Sequence, residues 1–435
     1  MPPVNSADMH RVRQNLNYFH ENNCEVTVIA VHEDYIDRDR DQYLIETIPN
    51  DVQVIKVKAL KSKWTKYLGF STIAIRAYFN YYKAINLKLK QEHFDLIFIS
   101  TTMFPLFTLG PIFKSKFNIP FIVDMQDPWV SDYYDTLPSS KRPPKYRLSK
   151  FIDNKLEKYT MNHVDGIVSV SLDYINDLEK RYQKLKIVKK IVLTFSAPEH
   201  DIEIFNKIKV NLDKRNDASL IKKEYFNITY VGRAGVDMEL SITWFLLAIK
   251  ELLEADQLPR NLKINFIGTS YDPSDSAKKS VMPIASKLLL DKIVYEQTSR
   301  VSYFNALNYI KDADLLFIPG SDSSSYTASK IFPYVLLKKP LIALFHEKSS
   351  VCEILEEINY PGLTKFNSES DGNLIVHKIK TDLMNIINNK VLEVDYNFEA
   401  FEKYTSKNMT TKLVDFFSSV LSNADKNDDV NTLNF

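Results

Sequence analysis

"DLLFIPGSDSSSYTASKIFPYVLLKKPLIALF", residues 314–345, is the stretch from which the fold is read. It opens on an apolar run, DLLFIPG (314–320), crosses a hydroxyl-rich loop, enters a helical pattern after Ser329, and ends on a second apolar run, PLIALF (340–345). A strand, loop, helix and strand in so short a span make a parallel βαβ unit. Neither strand alternates polar with apolar, as expected where helices cover both faces of a sheet. The loop gathers Ser325, Thr327 and Ser329 at the predicted helix start, with the cation Lys330 just inside it.

The same grammar runs through the chain. In the first half the strand patterns are CEVTVIAV (24–31), VQVIKV (52–57), DLIFIS (95–100), PFIVDM (120–125), GIVSVS (166–171) and KIVLTF (190–195). A polar stretch, NLDKRNDASLIKKEYFN (211–227), interrupts it with a boundary near 200–224, and it restarts with ITYVG (228–232), LKINFIG (262–268) and KIVYEQ (292–297) before the two runs quoted above. Two doubly wound α/β domains are therefore expected, over 1–200 and 225–398, followed by a helix over 399–421 and a disordered polar tail over 422–435. A chain of 435 residues is ample for two cores. One element is missing from the pattern. MPPVNSADMHRVRQNLNYF passes from a turn straight into a helix capped near Ser6, where such a domain ordinarily opens with a strand. A missing central strand would leave two buried edges unpaired, so a start that lies upstream is the expectation.

Composition narrows the chemistry. Hydrophobic residues at 45% and charged residues at 26% are ordinary for a soluble globular chain. Cys24 and Cys352 are too few and too distant for a disulfide framework, and the eight histidines form no HxH or HxxxH spacing. No metal site is expected. No apolar run reaches about 18 residues and no signal peptide opens the chain, so a cytoplasmic location is expected.

Several strings in their order resemble the GT-B glycosyltransferases, specifically the family-four, or group-one, members. PPVNSADMHRVRQNLNYFHENNCEVTVIAV looks like that family's first loop, helix and second strand; NIPFIVDMQDPW and HVDGIVSVSLDYINDL resemble later signatures of its first domain. NITYVGRAG resembles the opening strand and phosphate loop of the donor domain, and YIKDADLLFIPGS with SKIFPYVLLKKPLIA its donor block. The resemblance spans roughly 5–420 and implies two Rossmann-like domains facing a cleft, with the final helix crossing back onto the first. It also implies transfer of a sugar from a nucleotide diphosphate sugar, with no further cofactor. The acceptor would be a glycan or lipid-linked molecule in surface polysaccharide synthesis, and the subtype leans towards retention of configuration.

In such a reaction negative charge grows on the departing diphosphate, and a helix N-terminus with Arg or Lys can meet it. By resemblance Gly232 and Arg233 occupy the family's glycine and pyrophosphate-binding arginine, joined by Ser325, Thr327, Ser329 and Lys330; Glu353 stands where members often place an acidic residue near the donor. Ser329 is also readable as an ordinary N-cap, Lys330 as a solvated side chain, and Glu353 as a first-turn helix glutamate. In DMQDPW, Asp127 is a candidate to take or position the acceptor's hydroxyl proton, or else the cap of the next turn with Trp129 packing behind it. Arg11 and Arg13 are candidates for the acceptor side of the cleft.

The chain also departs from the family. The paired glutamates that hold donor sugar and ribose align with Ser325 and Pro333, and the second cation of the phosphate loop is absent, leaving Asp237 and Glu239. The competing reading is accordingly a non-catalytic GT-B subunit that binds a partner or glycan. A sugar-nucleotide epimerase would want a carboxylate and histidine set that the sequence does not display. Residues 52–91 carry nine Lys or Arg and no Asp or Glu, interleaved with seven aromatics, and SSKRPPKYRLSK (139–150) adds a second basic cluster. Residues 56–90 are thus read as contacting an anionic membrane on its inner face, or as a solvated helix with inward aromatics; no nucleic-acid motif accompanies the charge.

Overall fold

The computed structural model describes the chain except residues 62–71, 132, 136–137, 139–141, 143–144, 216–219, 273–276, 323–327 and 433–435. The chain divides into two compact units, Met1–Phe195 with Ser406–Phe435, and Ser196–Thr405.

The second unit is the more regular. Its strands are β7 (Phe226–Val231), β8 (Leu262–Ile267), β9 (Val294–Gln297), β10 (Leu315–Pro319), β11 (Leu341–His346) and β12 (Leu363–Phe366). They pair in the order β12-β11-β10-β7-β8-β9, every pairing parallel. The reversal of order beside β7 puts a switch point at the C-terminal ends of β7 and β10, where open α/β sheets hold ligands. Residues of β10 and β11 are buried almost without exception, which is why their sequence shows no alternation. Aromatic rings fill the space under the sheet: Phe245, on the helix Glu239–Glu254, stacks on Phe317 of β10 at 3.9 Å. The helix Glu199–Arg215, which falls where the boundary between the domains was placed, belongs to this unit: Tyr303 Oη donates to Asp201 and Lys209 Nζ to Asn308 and Asp312.

The first unit has two parallel sheets. β1 (Thr27–Val31) pairs with β2 (Gln53–Val57), and β3 (Ile97–Ser100), β4 (Phe121–Met125), β5 (Gly166–Ser169) and β6 (Lys189–Val192) form the order β3-β4-β5-β6. No strand among the described residues joins β1 to β3. Helix α1 (Ala7–Phe19) and the last helix, Ser406–Thr432, pack together: Phe19 stacks on Phe417, and Thr410 Oγ1 donates to Asn15. That last helix starts after a separate short helix, Phe398–Glu402, and continues past Ser422, where a disordered tail was expected.

Arg11 ties α1 to the sheet. Its Nε and Nη2 donate to the Asp124 carboxylate at 2.7 and 2.9 Å, and it also reaches the carbonyls of Leu193 and Thr194 beyond β6. Asp124, buried on β4, accepts further from Ser100 Oγ at 2.6 Å. Arg13 is 0% exposed and donates to His10 Nδ1; the other ring nitrogen of His10 then carries the proton and donates to Asn5 Oδ1 at 2.9 Å. Neither arginine is available to an acceptor, which corrects the reading of Arg11 and Arg13 as site residues: both are desolvated charges held by internal acceptors.

Removing one partner of a buried ion pair strands the other, at a cost of about 3–5 kcal/mol. Asp124→Ala should therefore lower the free energy of unfolding by about that amount in urea denaturation. A loss under about 1 kcal/mol would show that Arg11 is not held by this carboxylate.

Candidate functional site

The site of the second unit is built at the C-terminal end of β7. Gly232, directly after the strand, has φ +155°, a conformation that favours glycine, and a Cβ placed there would collide with Lys330 Cε. The glycine thus makes room for the lysine stem. The loop that follows is pinned from several sides: Gly232 N–H donates to Ile267 carbonyl, Ala234 N–H to Thr269 carbonyl, and Tyr230 Oη to the carbonyl of Arg233 at 2.6 Å. Tyr334 Oη accepts from Val231 N–H at 3.1 Å, coupling the end of β7 to the short helix Ile331–Leu336.

Lys330 is the N-cap of that helix, not a residue inside it, and Ser329 gives it no side-chain cap. The helix starts late because Pro333 occupies its third position, where a missing N–H costs nothing. Burial pulls the Lys330 ammonium down to about 8, and the positive charges of Arg233 and Arg300 push it the same way. Three cations therefore converge on one edge of the sheet: one after β7, one after β9 and one at the helix start. Arg300, three residues past the end of β9, lies over the Tyr271 ring at 5.3 Å. The sequence reading passed over it; its one signal is an arginine just beyond a strand end on the ligand-binding edge.

Arg233 carries a counter-charge of its own. Its Nη1 and Nη2 donate to the two carboxylate oxygens of Asp237 at 2.8 and 2.7 Å. Burial would raise the Asp237 carboxyl, but the hydrogen bond and charge of Arg233 outweigh it and hold the group below its ordinary value. Asp237 stands in the stretch where the family's second cation would fall. Any anion that engages Arg233 competes with this carboxylate. Glu353 lies exposed in the first turn of the helix Ser350–Glu357, which follows β11 and is capped by Ser349. Ser325 and Thr327 lie outside the described residues.

In the first unit Asp127 sits just past the end of β4, exposed, with no hydrogen bond or ion pair among the described residues. It does not cap the next turn. Although the residue is exposed as a whole, neighbouring protein partly desolvates its carboxyl, and this, and then the charge of Asp8, raise it above the ordinary aspartate value; its own charge helps raise Tyr174. Trp129 does pack, stacked against Phe104 at 5.8 Å with its indole N–H donating to Asp153. Of the two readings, packing applies to Trp129 and capping fails for Asp127.

In the basic stretch, Trp64, Tyr67 and Phe70 lie outside the described residues. On helix α2 (Ile73–Gln91), Tyr78, Tyr81 and Tyr82 pack inward, whereas Phe79 is 63% exposed beneath Lys83 Nζ at 4.4 Å. The helix Tyr146–Met161 repeats the arrangement with Phe151, 61% exposed, and Lys155 at 5.6 Å.

No family model matches this chain, and no curated protein matches it. Solved structures do. Anabaena HepE, crystallised with UDP and glucose, is 14% identical over 95% of this chain and 96% of its own, with a TM-score of 0.56. The α,α-trehalose 6-phosphate synthase of Burkholderia multivorans is 11% identical over 98% and 95%, with a TM-score of 0.57. The UDP-GlcNAc 2-epimerase of Methanocaldococcus jannaschii is 14% identical over 95% and 98%, with a TM-score of 0.52. At these identities the likeness is one of fold, and the expected two-domain GT-B fold is the one this chain has.

The lysine gives the site a signature that needs no ligand. Between about pH 8 and the ordinary lysine value of 10.5, the unfolded chain binds a proton at Lys330 that the folded chain does not. Stability should therefore rise with pH across that window. Wild-type protein should show this rise in thermal melts and Lys330→Met should lack it; parallel pH profiles would mean that Lys330 is not desolvated.

Proposed function

We propose that the chain is a glycosyltransferase that takes a nucleotide diphosphate sugar at the end of β7 and transfers the sugar to a hydroxyl acceptor. The observation that carries the reading is the crowding of Lys330, Arg233 and Arg300, a charge arrangement that is costly when empty and relieved by a polyanion. UDP and UDP sugars are what the structurally similar HepE and trehalose-phosphate synthases are described with, so a uridine diphosphate sugar is the donor to test first. In this reading the bond between the sugar's anomeric carbon and the diphosphate oxygen breaks, and its electron pair leaves with the diphosphate. The cations stabilise that leaving group more than they stabilise the intact donor. No resident cofactor is assigned. The acceptor oxygen bonds to the anomeric carbon and its proton passes to the Asp127 carboxylate, which burial makes a stronger base than an ordinary aspartate.

The missing glutamates leave a proline, Pro333, where a carboxylate would grip ribose, so donor selectivity rests on the diphosphate cations. The alternative, a non-catalytic binding subunit, shares the anion site but needs no base; Asp127, without a hydrogen-bond or ion-pair partner among the described residues, favours the enzyme. Calorimetry with UDP should give tight binding that weakens about 10–100-fold in Arg233→Ala and in Lys330→Met, the loss of one charge-assisted hydrogen bond. Asp127→Asn should leave UDP affinity unchanged and lower kcat about 10²–10⁴-fold. Failure of UDP, GDP and other nucleoside diphosphates to bind would sink the donor assignment; binding without any turnover would leave the subunit reading.

Surface polysaccharide synthesis on a lipid-linked acceptor, at the inner face of a membrane, is part of the same proposal. The outward pairs Phe79 with Lys83 and Phe151 with Lys155 support it, each setting an apolar ring beside a cation. No described helix is long and apolar enough to cross a membrane. The protein should co-sediment with phosphatidylserine vesicles, and the double substitution Phe79→Ser, Phe151→Ser should reduce the bound fraction several-fold without changing UDP affinity.

A further inference from the structure

Strand β9 carries an acid into the interior of the second unit. Along it Val294 and Glu296 are buried and Tyr295 is exposed, so the alternation puts a carboxylate on the inner face, 3% exposed. A carboxylate taken out of water needs a cation or a full set of donors. Among the described residues Glu296 is met by neutral donors: Oε1 accepts from Thr269 Oγ1 at 2.7 Å and from Ser280 N–H at 3.0 Å, and Oε2 from the N–H groups of Val281 at 3.1 Å and Met282 at 2.8 Å. With each oxygen already accepting twice, the group is fitted to hold loops and not to move a proton.

The loops it holds are those that carry the cations. Thr269 accepts at its carbonyl from Ala234 N–H at 3.0 Å, and Ser280 Oγ donates to the Ala234 carbonyl at 2.6 Å. The residue directly after Arg233 is thus tied on both its polar backbone groups, and both ties end at Glu296. On the other side, the continuation of β9 towards Arg300 is zipped to the continuation of β8: Gly268 N–H donates to the Gln297 carbonyl at 2.8 Å and Ser270 N–H to the Thr298 carbonyl at 3.1 Å. We infer that Glu296 is the positioning residue of the anion site, one buried carboxylate that gathers the segments after β7, β8 and β9 and so fixes Arg233 and Arg300 where they crowd Lys330. The inference deepens the donor reading and rests on it for its ligand test, though not for its pH test.

Glutamine at 296 turns one acceptor oxygen into a donor set among donors. Glu296→Gln should weaken UDP binding in calorimetry about 10–100-fold, the range found when the support behind a ligand-holding group is removed. In an Arg233→Ala background the same change should cost less than about 2-fold, because both substitutions then act through one contact. Ser280→Ala cuts only the side-chain link to Ala234; it should cost about 3–10-fold, and it carries the test where the Glu296 variant does not fold. A second readout needs no ligand. Arg233 and Arg300 are the charges that press on Lys330, so looser arginines let its ammonium titrate nearer 10.5, and the rise in stability between about pH 8 and 10.5 should be shallower in Glu296→Gln than in wild type. A glutamate titrates far below that window and adds nothing to it. Wild-type UDP affinity in both variants, or an undiminished loss in the Arg233→Ala background, would overturn the inference and leave the donor reading standing. Should wild-type protein bind no nucleoside diphosphate, the donor reading falls and the pH profile decides alone: a shallower rise supports Glu296 as the holder of the two arginines, and an unchanged rise overturns it.

Discussion

Charge crowding at the end of β7 is the constraint to which the second unit is fitted. A lysine whose ammonium has been drawn down to about 8 by burial and by two guanidiniums is held against its electrostatic preference. The surrounding hydrogen bonds hold it there: Tyr230 fixes the Arg233 carbonyl, Tyr334 fixes the β7 terminus to the lysine's own helix, and Gly232 clears the volume that the lysine stem fills. Strain of this kind persists only where packing over-determines it, and it is characteristic of sites that meet an oppositely charged ligand.

Asp237 shows how the chain manages that site without ligand. It neutralises Arg233 through a two-oxygen fork, so that Lys330 and Arg300 feel one repulsive guanidinium already partly screened. A diphosphate offers more negative charge than one carboxylate and approaches from the strand-end side. Exchange of Asp237 for phosphate oxygens then costs one ion pair and returns contacts to three cations. The proposed exchange would separate the site from one built on two loop cations, in a chain where Pro333 stands at the position the resemblance assigns to a glutamate.

The fold was legible because buried parallel strands announce themselves as unbroken apolar runs: LLFIP and LIALFH need no alternation to be recognised. β12 escaped because LTKF is short and places a lysine at the sheet edge. The helix Glu199–Arg215 lies in the interval read only as a boundary, and its partners Tyr303 and Asn308, some hundred residues on, assign it to the second unit. Arg11 and Arg13 were misread for a similar reason. An arginine near a ligand-facing loop and an arginine salted into the core look alike until Asp124 and His10 are seen in contact with them. Arg233 and Lys330 were singled out because a glycine loop and a hydroxyl-rich loop carry local signatures, whereas Arg300 has only its place just beyond a strand end.

The two units place different demands on their sheets. In the second, all six strands are paired, and the ligand edge can store electrostatic strain because nothing beneath it is loose. In the first, Asp127 stands at the end of β4, one strand away from the open edge of β3. Ser100 of β3 donates to Asp124 of β4, three residues before Asp127, and Gln126 donates back to Ser100. The residues just before the carboxylate proposed as base are thus tied by a hydrogen-bond network whose outer member, Ser100, belongs to β3. Edge strands open more readily than central ones, so the backbone that carries Gln126 and Asp127 leans on the less protected side of its sheet.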